Sequence, residues 1–69
     1  MDIKILGKTI GTAGGYYELA PGVVMFVLVE STILKNATSL IIDYFTGEVQ
    51  VRNDFSEETH DALSIVNSL

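Results

Sequence analysis

The sequence predicts an α+β fold: an antiparallel four- to five-stranded twisted sheet, arranged as a meander, with one C-terminal helix packed on one face. Three observations predict it. Residues 23–29 are an uninterrupted apolar run rich in valine, residues 39–52 fit a hairpin whose return strand alternates apolar and polar side chains, and the last fifteen residues carry apolar side chains with a helical period. We expect a single domain over residues 1–69, and a small SH3-like barrel with an added helix is the main alternative.

Residues 23–29 (Val-Val-Met-Phe-Val-Leu-Val) are the segment around which we expect the fold to be built. A strand that is apolar at both parities has to be covered on both faces, or it has to pair within an oligomer. The run is too short to span a bilayer as a helix, which requires about 20 apolar residues. It therefore predicts a central strand that needs neighbours on both sides and cover above and below.

The composition bounds the kind of protein. The chain has 69 residues, of which 48% are hydrophobic, and it has no cysteine and one histidine. A chain this short buries only about 60% of its unfolded surface, and it has no disulfide to compensate. We therefore expect a homo-oligomer, with a dimer as the expected order. With one histidine and no cysteine, neither a structural metal site nor any other cofactor is expected.

The formal net charge of −5 limits the partners. Because this charge opposes phosphate backbones, direct nucleic-acid binding is not expected. A protein partner with a basic surface suits it, although the same acidity also serves the solubility of a small domain. The first residues contain neither a basic stretch nor a long apolar stretch of the secretory type, so we expect a cytoplasmic protein without membrane association.

The first half of the chain reads as short strands and turns. Residues 2–6 alternate as a half-buried strand, and Gly7-Lys8 is expected to form a type II′ turn into a short strand at Thr9-Ile10. Residues 11–15 contain three glycines, which indicate a loop or a place where the backbone passes close to another group. Residues 16–20 are a strand, which Pro21-Gly22 joins to residues 23–29 through a type II turn.

The second half begins with an ambiguous segment. Residues 30–36 fit a bent strand leading to a turn at Asn36, and they fit one short helical turn as well. Residues 39–45 and 48–52 then form the clearest hairpin, with Thr46-Gly47 at the turn. In its return strand Val49 and Val51 should face inward, and the polar residues Glu48, Gln50 and Arg52 should face outward.

The last predicted element is a helix of about 13 residues that begins at Ser56. Ser56 is a suitable N-cap, and Glu57 and Glu58 suit the first turn of a helix. The apolar side of this helix would carry Phe55, Thr59, Ala62, Leu63, Ile65, Val66 and Leu69. We expect it to cover one face of residues 23–29, which leaves the other face to a curled sheet or to another subunit.

No catalytic set is evident. His60 should lie on the polar side of the helix with Ser64 one turn away, but no acidic residue is placed to orient the imidazole. Asp54, Glu57, Glu58 and Asp61 gather near the predicted helix start, yet they lack the spacing of a calcium loop. We therefore expect no enzymatic activity, and an enzyme or metal-dependent module built on His60 is the weakest of the hypotheses.

The candidate partner-binding residues are two tyrosines and a set of acidic side chains. In a strand one of Tyr16 and Tyr17 faces inward and the other outward, so one ring should be partly exposed. Tyrosine is enriched among the residues that anchor protein interfaces. The full predicted set is Tyr16, Tyr17, Glu18, Asp43, Glu48, Asp54, Glu57, Glu58 and Asp61.

These observations favour a small non-enzymatic protein-interaction module, an inhibitor that binds and blocks a larger protein. The alternative is a self-associating structural subunit with no separate ligand. In size and charge alone, and in no residue pattern, the chain resembles many phage-encoded inhibitors, anti-CRISPR proteins among them. That resemblance implies a viral protein acting in the cytoplasm of the host.

Overall fold

The computed structural model describes residues 1–31 and 36–68. These residues form six strands and one helix: β1 (Asp2–Ile5), β2 (Lys8–Ala20), β3 (Val23–Ser31), β4 (Ser39–Asp43), β5 (Glu48–Arg52), β6 (Glu57–Asp61) and α1 (Ala62–Asn67). Each strand pairs antiparallel with its neighbours in sequence, in the order β1-β2-β3-β4-β5-β6. The predicted α+β meander with a C-terminal helix is confirmed, with six strands in the described residues where four to five were expected.

The sheet is strongly coiled. The Cα atoms extend over 26 × 25 × 23 Å along the three principal axes, whereas a flat sheet would be much thinner in one direction. The long strand β2 contributes to this coiling, because it pairs with different strands along its length. Its pairs with β1 lie within residues 8–12, and its pairs with β3 lie within residues 11–20. Register shifts on both sides of Ala13 bend the strand between these two partners.

The glycine-rich residues 11–15 are part of β2, so the loop was wrong and the alternative, a close approach of the backbone, is confirmed at Gly14. Glycine serves a close approach within the strand: a Cβ on Gly14 would lie 2.9 Å from Cγ1 of Val29 on β3. The short strand predicted at Thr9-Ile10 and the one predicted at residues 16–20 are therefore one continuous element.

The turns follow the predicted positions with one exception. Leu6 and Gly7 have φ angles of 51° and 80°, as in a type I′ turn, so the type II′ turn predicted at Gly7-Lys8 was wrong in both place and type. Gly22 has a φ of 76°, which fits the third position of the predicted type II turn. Asn36 also has a positive φ, of 75°, as expected. The strand and helical-turn alternatives at residues 32–35 lie outside the described residues.

The hairpin of β4 and β5 is confirmed. Its inward side chains belong to the hydrophobic core, with Leu40 and Val49 at 1% and 0% exposure. Strand β4 ends at Asp43, two residues earlier than predicted, because the Asp43 side chain already caps the turn that follows. Gly47, with a φ of 77°, closes that turn.

The described core lies on one side of the coiled sheet, which we call the inner face. The register pairs Phe26 with Leu40 and Leu40 with Val51, so these three side chains share that face. None of the described polar side chains is buried. The buried residues are Ile3, Ile5, Ile10, Ala13, Phe26, Leu40, Ile42, Val49, Val51, Ala62, Ile65 and Val66.

The helix predicted from Ser56 was wrong over its first half. Residues 57–61 form β6, and Ser56 belongs to the preceding turn, where its N–H donates to Oδ1 of Asn53 at 2.7 Å. An isolated helix of about 13 residues is marginal in water, and pairing with β5 satisfies the same backbone groups. Phe55, expected on the apolar side of the helix, is 97% exposed. Leu69 lies outside the described residues.

Helix α1 closes part of the inner face. Ala62, Ile65 and Val66 join the core cluster, and the N–H of Ala62 donates to the carbonyl oxygen of Gly47 at 2.7 Å. A helix of six residues is only about 9 Å long, so it covers a limited area. The coiling of the sheet encloses the rest of the inner core, whereas the curled sheet was predicted as cover for the opposite face of β3, on which Val27 and Val29 are exposed.

Candidate protein-binding surface

The side chains of β3 alternate between the two faces of the sheet, and the two faces differ in exposure. On the inner face Phe26 is 8% exposed, whereas Val27 and Val29 on the opposite, outer face are 40% and 68% exposed. The sequence predicted that both faces of this strand are covered. Within the described residues, only its inner face is. We call the apolar side chains left on the other side the outer-face patch, and it consists of Val23, Met25, Val27, Val29 and Ile41.

The strand register makes this patch continuous. Met25 lies opposite Ile41 on β4, and on its other side it lies opposite Tyr17 on β2. Val27 lies opposite Gly15, which has no side chain to cover it. The patch therefore extends from β3 onto β4, with Tyr17 beside it on β2 and Asp43 opposite Val23 at its end.

The tyrosines lie on opposite faces of β2, as predicted. Tyr17 is on the outer face beside the patch and is 61% exposed. Tyr16 is on the inner face, where its ring centroid lies 6.3 Å from that of Phe26, yet it is 57% exposed. Glu18, also exposed, lies on the inner face opposite Val24. Both rings are accessible, where one was expected.

One edge of β2 has no described neighbour along residues 14–20, which we call the β2 edge. Strand β1 pairs with β2 only up to Thr12. Just beyond it, Met1 and Ala13 exchange two hydrogen bonds, of 2.7 Å to the Met1 carbonyl and 2.9 Å from the terminal ammonium. From Gly14 onward, the described pairs of β2 are all with β3. This edge carries both exposed tyrosines.

Four of the predicted acidic residues lie on the outer face: Asp43 at the end of β4, and three more on the far side of the patch from Tyr17. Glu57 lies opposite Arg52, with its Oε2 3.7 Å from the arginine Nε. Glu48 lies directly opposite Asp61, so two like charges face each other there. The outer face therefore carries Tyr17 at one side, the apolar patch in the middle and an acidic border on β5 and β6.

Asp43 ends β4, opposite Val23 of the patch, and Asp54 lies in the turn between β5 and β6. Oδ1 of Asp43 accepts hydrogen bonds from the N–H groups of Phe45, at 2.9 Å, and Thr46, at 3.1 Å. The Thr46 N–H, followed by that of Phe45, lowers the pKa of Asp43 below its usual value. The Asp43 carboxylate is thus engaged in its own turn, whereas Asp54 is exposed between β5 and β6.

His60 lies on β6, so the predicted helical relation to Ser64 was wrong. It is opposite Val49, on the inner side of the sheet, and its side chain is 33% exposed. Its Nε2 lies 3.2 Å from Oε2 of Glu58, two residues earlier on the same face of the strand. The helical reading missed this acidic neighbour because it assumed a period of 3.6 residues where the segment has a period of two. Within residues 1–31 and 36–68, no group of three His, Cys, Asp or Glu side chains is placed to hold a metal ion.

Aromatic side chains that the sequence reasoning did not select lie at the turn end of the sheet. The Phe45 ring packs over Gly22, in space that a Cβ at that position would occupy. The N–H of Tyr44 donates to the carbonyl oxygen of Gly22 at 2.8 Å, and burial raises the pKa of Tyr44. These contacts join the β2–β3 turn to the β4–β5 turn and leave Phe45 80% exposed.

No protein-family model, curated protein or solved structure matches the chain. None of the helices formed by the described residues has the length and apolarity needed to cross a membrane. The function is therefore inferred from the outer face and from the edge of β2.

Proposed function

We propose that the chain is a non-enzymatic protein-interaction module that binds a larger protein through the outer-face patch. The observation that carries this proposal is the exposure of Val27 and Val29 on the central strand. Contiguous apolar side chains on the surface of a small protein are typical of interaction sites, whereas single exposed apolar residues are common everywhere. Here the two exposed valines are successive along one face of β3, and the apolar surface continues through half-buried Met25 to half-buried Ile41 on β4.

The surroundings of the patch favour a partner of a particular kind. Asp43 lies beside the patch on β4, Glu48, Glu57 and Asp61 lie beyond it on β5 and β6, and Tyr17 borders it on the β2 side. A partner with an apolar centre and basic side chains along one border fits this arrangement, because complementary charges at a rim assist association and orientation. A small module seated in this way acts as an inhibitor when the surface it covers is needed by the partner.

Two matched variants test this proposal. Val27→Glu places a charge in the patch, and Ser64→Glu places the same charge at an exposed position on α1, away from the outer face. Wild-type and variant proteins are immobilised and exposed to a lysate of the organism that encodes the chain. The captured protein is then identified and purified, and its affinity for each variant is measured by calorimetry.

We expect Val27→Glu to weaken binding of that protein by about tenfold or more, because a buried unpaired charge is costly at an interface. Ser64→Glu should bind as the wild type does. Equal affinities for the wild type and Val27→Glu, with both variants folded by circular dichroism, would remove the outer-face patch as the binding surface.

The second candidate is a self-associating structural subunit with no separate ligand. The unpaired β2 edge favours it, because an exposed edge strand is a template for a further strand. A subunit of this kind has a melting temperature that rises with protein concentration. A melting temperature that does not change on hundredfold dilution would exclude it.

A further inference from the structure

We propose that two copies of the chain associate through the β2 edge and form one continuous antiparallel sheet, with Tyr17 on the twofold axis between them. The inference concerns the edge of β2 and does not depend on partner binding by the outer-face patch. A dimer of this kind leaves the patch of each copy exposed on one shared outer face.

The exposure of both tyrosines points to a strand at this edge. Tyr16 and Tyr17 lie on opposite faces of β2 and are 57% and 61% exposed. A protein that covers the outer face can contact Tyr17 but not Tyr16. A strand added to the edge brings side chains beside both, because its own residues alternate between the two faces.

The distribution of charge favours a second copy of this chain at this edge. The chain has four basic and nine acidic residues, and Glu18 is the one charged residue between Thr9 and Val29. Two copies with a net charge of −5 can therefore meet here without bringing several like charges together. By contrast, the β6 edge carries Glu57, Glu58 and Asp61, and such charges on an edge strand oppose strand addition.

The register follows from the alternation of side chains. A twofold axis perpendicular to the sheet keeps the inner faces of both copies on one side. An inner-face residue of one copy must therefore pair with an inner-face residue of the other, and an outer-face residue with an outer-face residue. With Tyr17 on the axis, it pairs with its own counterpart, and Tyr16 pairs with the partner subunit's Glu18. The Tyr16 hydroxyl of each copy can then donate to the Glu18 carboxylate of the other copy, which gives two such contacts in the dimer. An axis at Glu18 would instead place two carboxylates opposite each other, which is unfavourable.

The expected dimer is small. The regular pairing of β2 with β3 over residues 15–18 is bounded by register shifts, between Ala13 and Gly15 and between Glu18 and Ala20. Bulges of this kind shorten the straight part of an edge that another strand can use. We therefore expect a dimer that dissociates on dilution, rather than a permanent one.

Cross-linking between single-cysteine variants tests the register, since the chain has no cysteine of its own. Tyr17→Cys should form a disulfide-linked dimer under mild oxidation several times faster than the exposed control Thr59→Cys on β6. A mixture of Tyr16→Cys and Glu18→Cys copies, one of them tagged, should form the mixed dimer in preference to either self-linked dimer. Equal rates for Tyr17→Cys and Thr59→Cys, or no preference in the mixture, would overturn the proposal.

Sedimentation equilibrium tests the association without cross-linking. The wild type should pass from monomer to dimer as its concentration rises, and Tyr17→Glu should raise the dissociation constant by about tenfold or more, because it places two like charges at the axis. Thr59→Glu and Val27→Glu should dimerise as the wild type does, since neither lies on the β2 edge. A wild type that stays monomeric at millimolar concentration, or a Tyr17→Glu variant that dimerises normally, would contradict the inference. Normal dimerisation of Val27→Glu also separates this result from a failure of partner binding.

Discussion

Replacing Phe26 with alanine tests the difference between the two faces of β3. Phe26 is 8% exposed on the inner face, its neighbour across the register on β4 is Leu40, and its ring lies 6.3 Å from that of Tyr16. Removing a buried phenylalanine side chain costs about 3–5 kcal/mol, through lost burial and the cavity that remains. Because Tyr16 is itself 57% exposed, water and the tyrosine ring can relax into the space. We therefore expect a cost near the lower end, about 3 kcal/mol.

That cost is large for a chain of this size. At about 0.05–0.15 kcal/mol per residue, 69 residues give a free energy of unfolding of roughly 3–10 kcal/mol. Phe26→Ala should therefore remove a third or more of the stability. The matched control is Val29→Thr, which keeps a β-branched side chain at a position on the outer face that is 68% exposed, and it should change the stability by less than about 0.5 kcal/mol.

Urea unfolding followed by far-ultraviolet circular dichroism measures both variants. With an m-value of about 1 kcal/mol per molar urea, a loss of about 3 kcal/mol moves the midpoint by about 3 M. All proteins are measured at one low concentration, so that association does not contribute. A Phe26→Ala cost below about 1 kcal/mol, or a Val29→Thr cost as large as that of Phe26→Ala, would refute the assignment of the inner and outer faces.

Three further predictions concern turns and surface charges. Gly22→Ala should destabilise the fold more than Gly7→Ala. Both glycines have a positive φ, but only at Gly22 does a ring, that of Phe45, occupy the space of the new methyl group. The melting temperatures of the two variants test this. The pKa of Asp43 is lowered in the folded state, so its charge stabilises the fold above the unfolded pKa of about 4, and this contribution is lost as the pH falls through the lower folded value. The stability difference between the wild type and Asp43→Asn should therefore shrink on acidification in urea titrations, and a difference independent of pH would contradict this. Glu48→Ala should stay within about 0.5 kcal/mol of the wild type in the same titrations, since the residue is exposed and lies opposite another carboxylate; a larger loss would mean that it makes a stabilising contact.

The sheet could be predicted where local pattern and tertiary structure agree. Leu40 and Ile42 alternate with polar or less buried positions, and Thr46-Gly47 supplies the turn, so the β4–β5 hairpin follows from the sequence alone. The strand character of residues 23–29 follows in the same way from the valine content. The exposure of one of its faces does not, because an apolar run looks the same whether both faces or one face is covered.

The C-terminal segment shows why the rest could not be predicted. Residues 55–69 place apolar side chains at helical spacing, and this spacing includes Phe55 and Thr59. For these two residues the match is accidental, because the helix begins only at Ala62. What decides the structure is the open edge of β5, which pairs with residues 57–61 and leaves the helix only residues 62–67. Pairing with a distant strand is a tertiary effect, and it overrides weak local propensity. The same error hid the proximity of His60 to Glu58 and placed the acidic residues at a helix start instead of along a strand.

The glycines of β2 misled the prediction in a related way. Three glycines in five residues are typical of a loop, yet here they allow β2 to bend between two partners and to approach Val29 closely. The candidate tyrosines were selected for their residue type and position in a strand, and both proved exposed. That they flank an unpaired edge depends on where β1 stops pairing, which the sequence does not reveal.

Paramagnetic relaxation measured with a soluble nitroxide on methyl-labelled protein is the most direct test of the central claim, that β3 is covered on one side and open on the other. In dilute monomer, the methyl signals of Val27 and Val29 should broaden strongly, whereas those of Val49 and Leu40 should be protected. Protection of Val27 and Val29 in the dilute monomer, or broadening of Val49 to the same extent, would contradict the claim and with it the basis of the proposed binding surface.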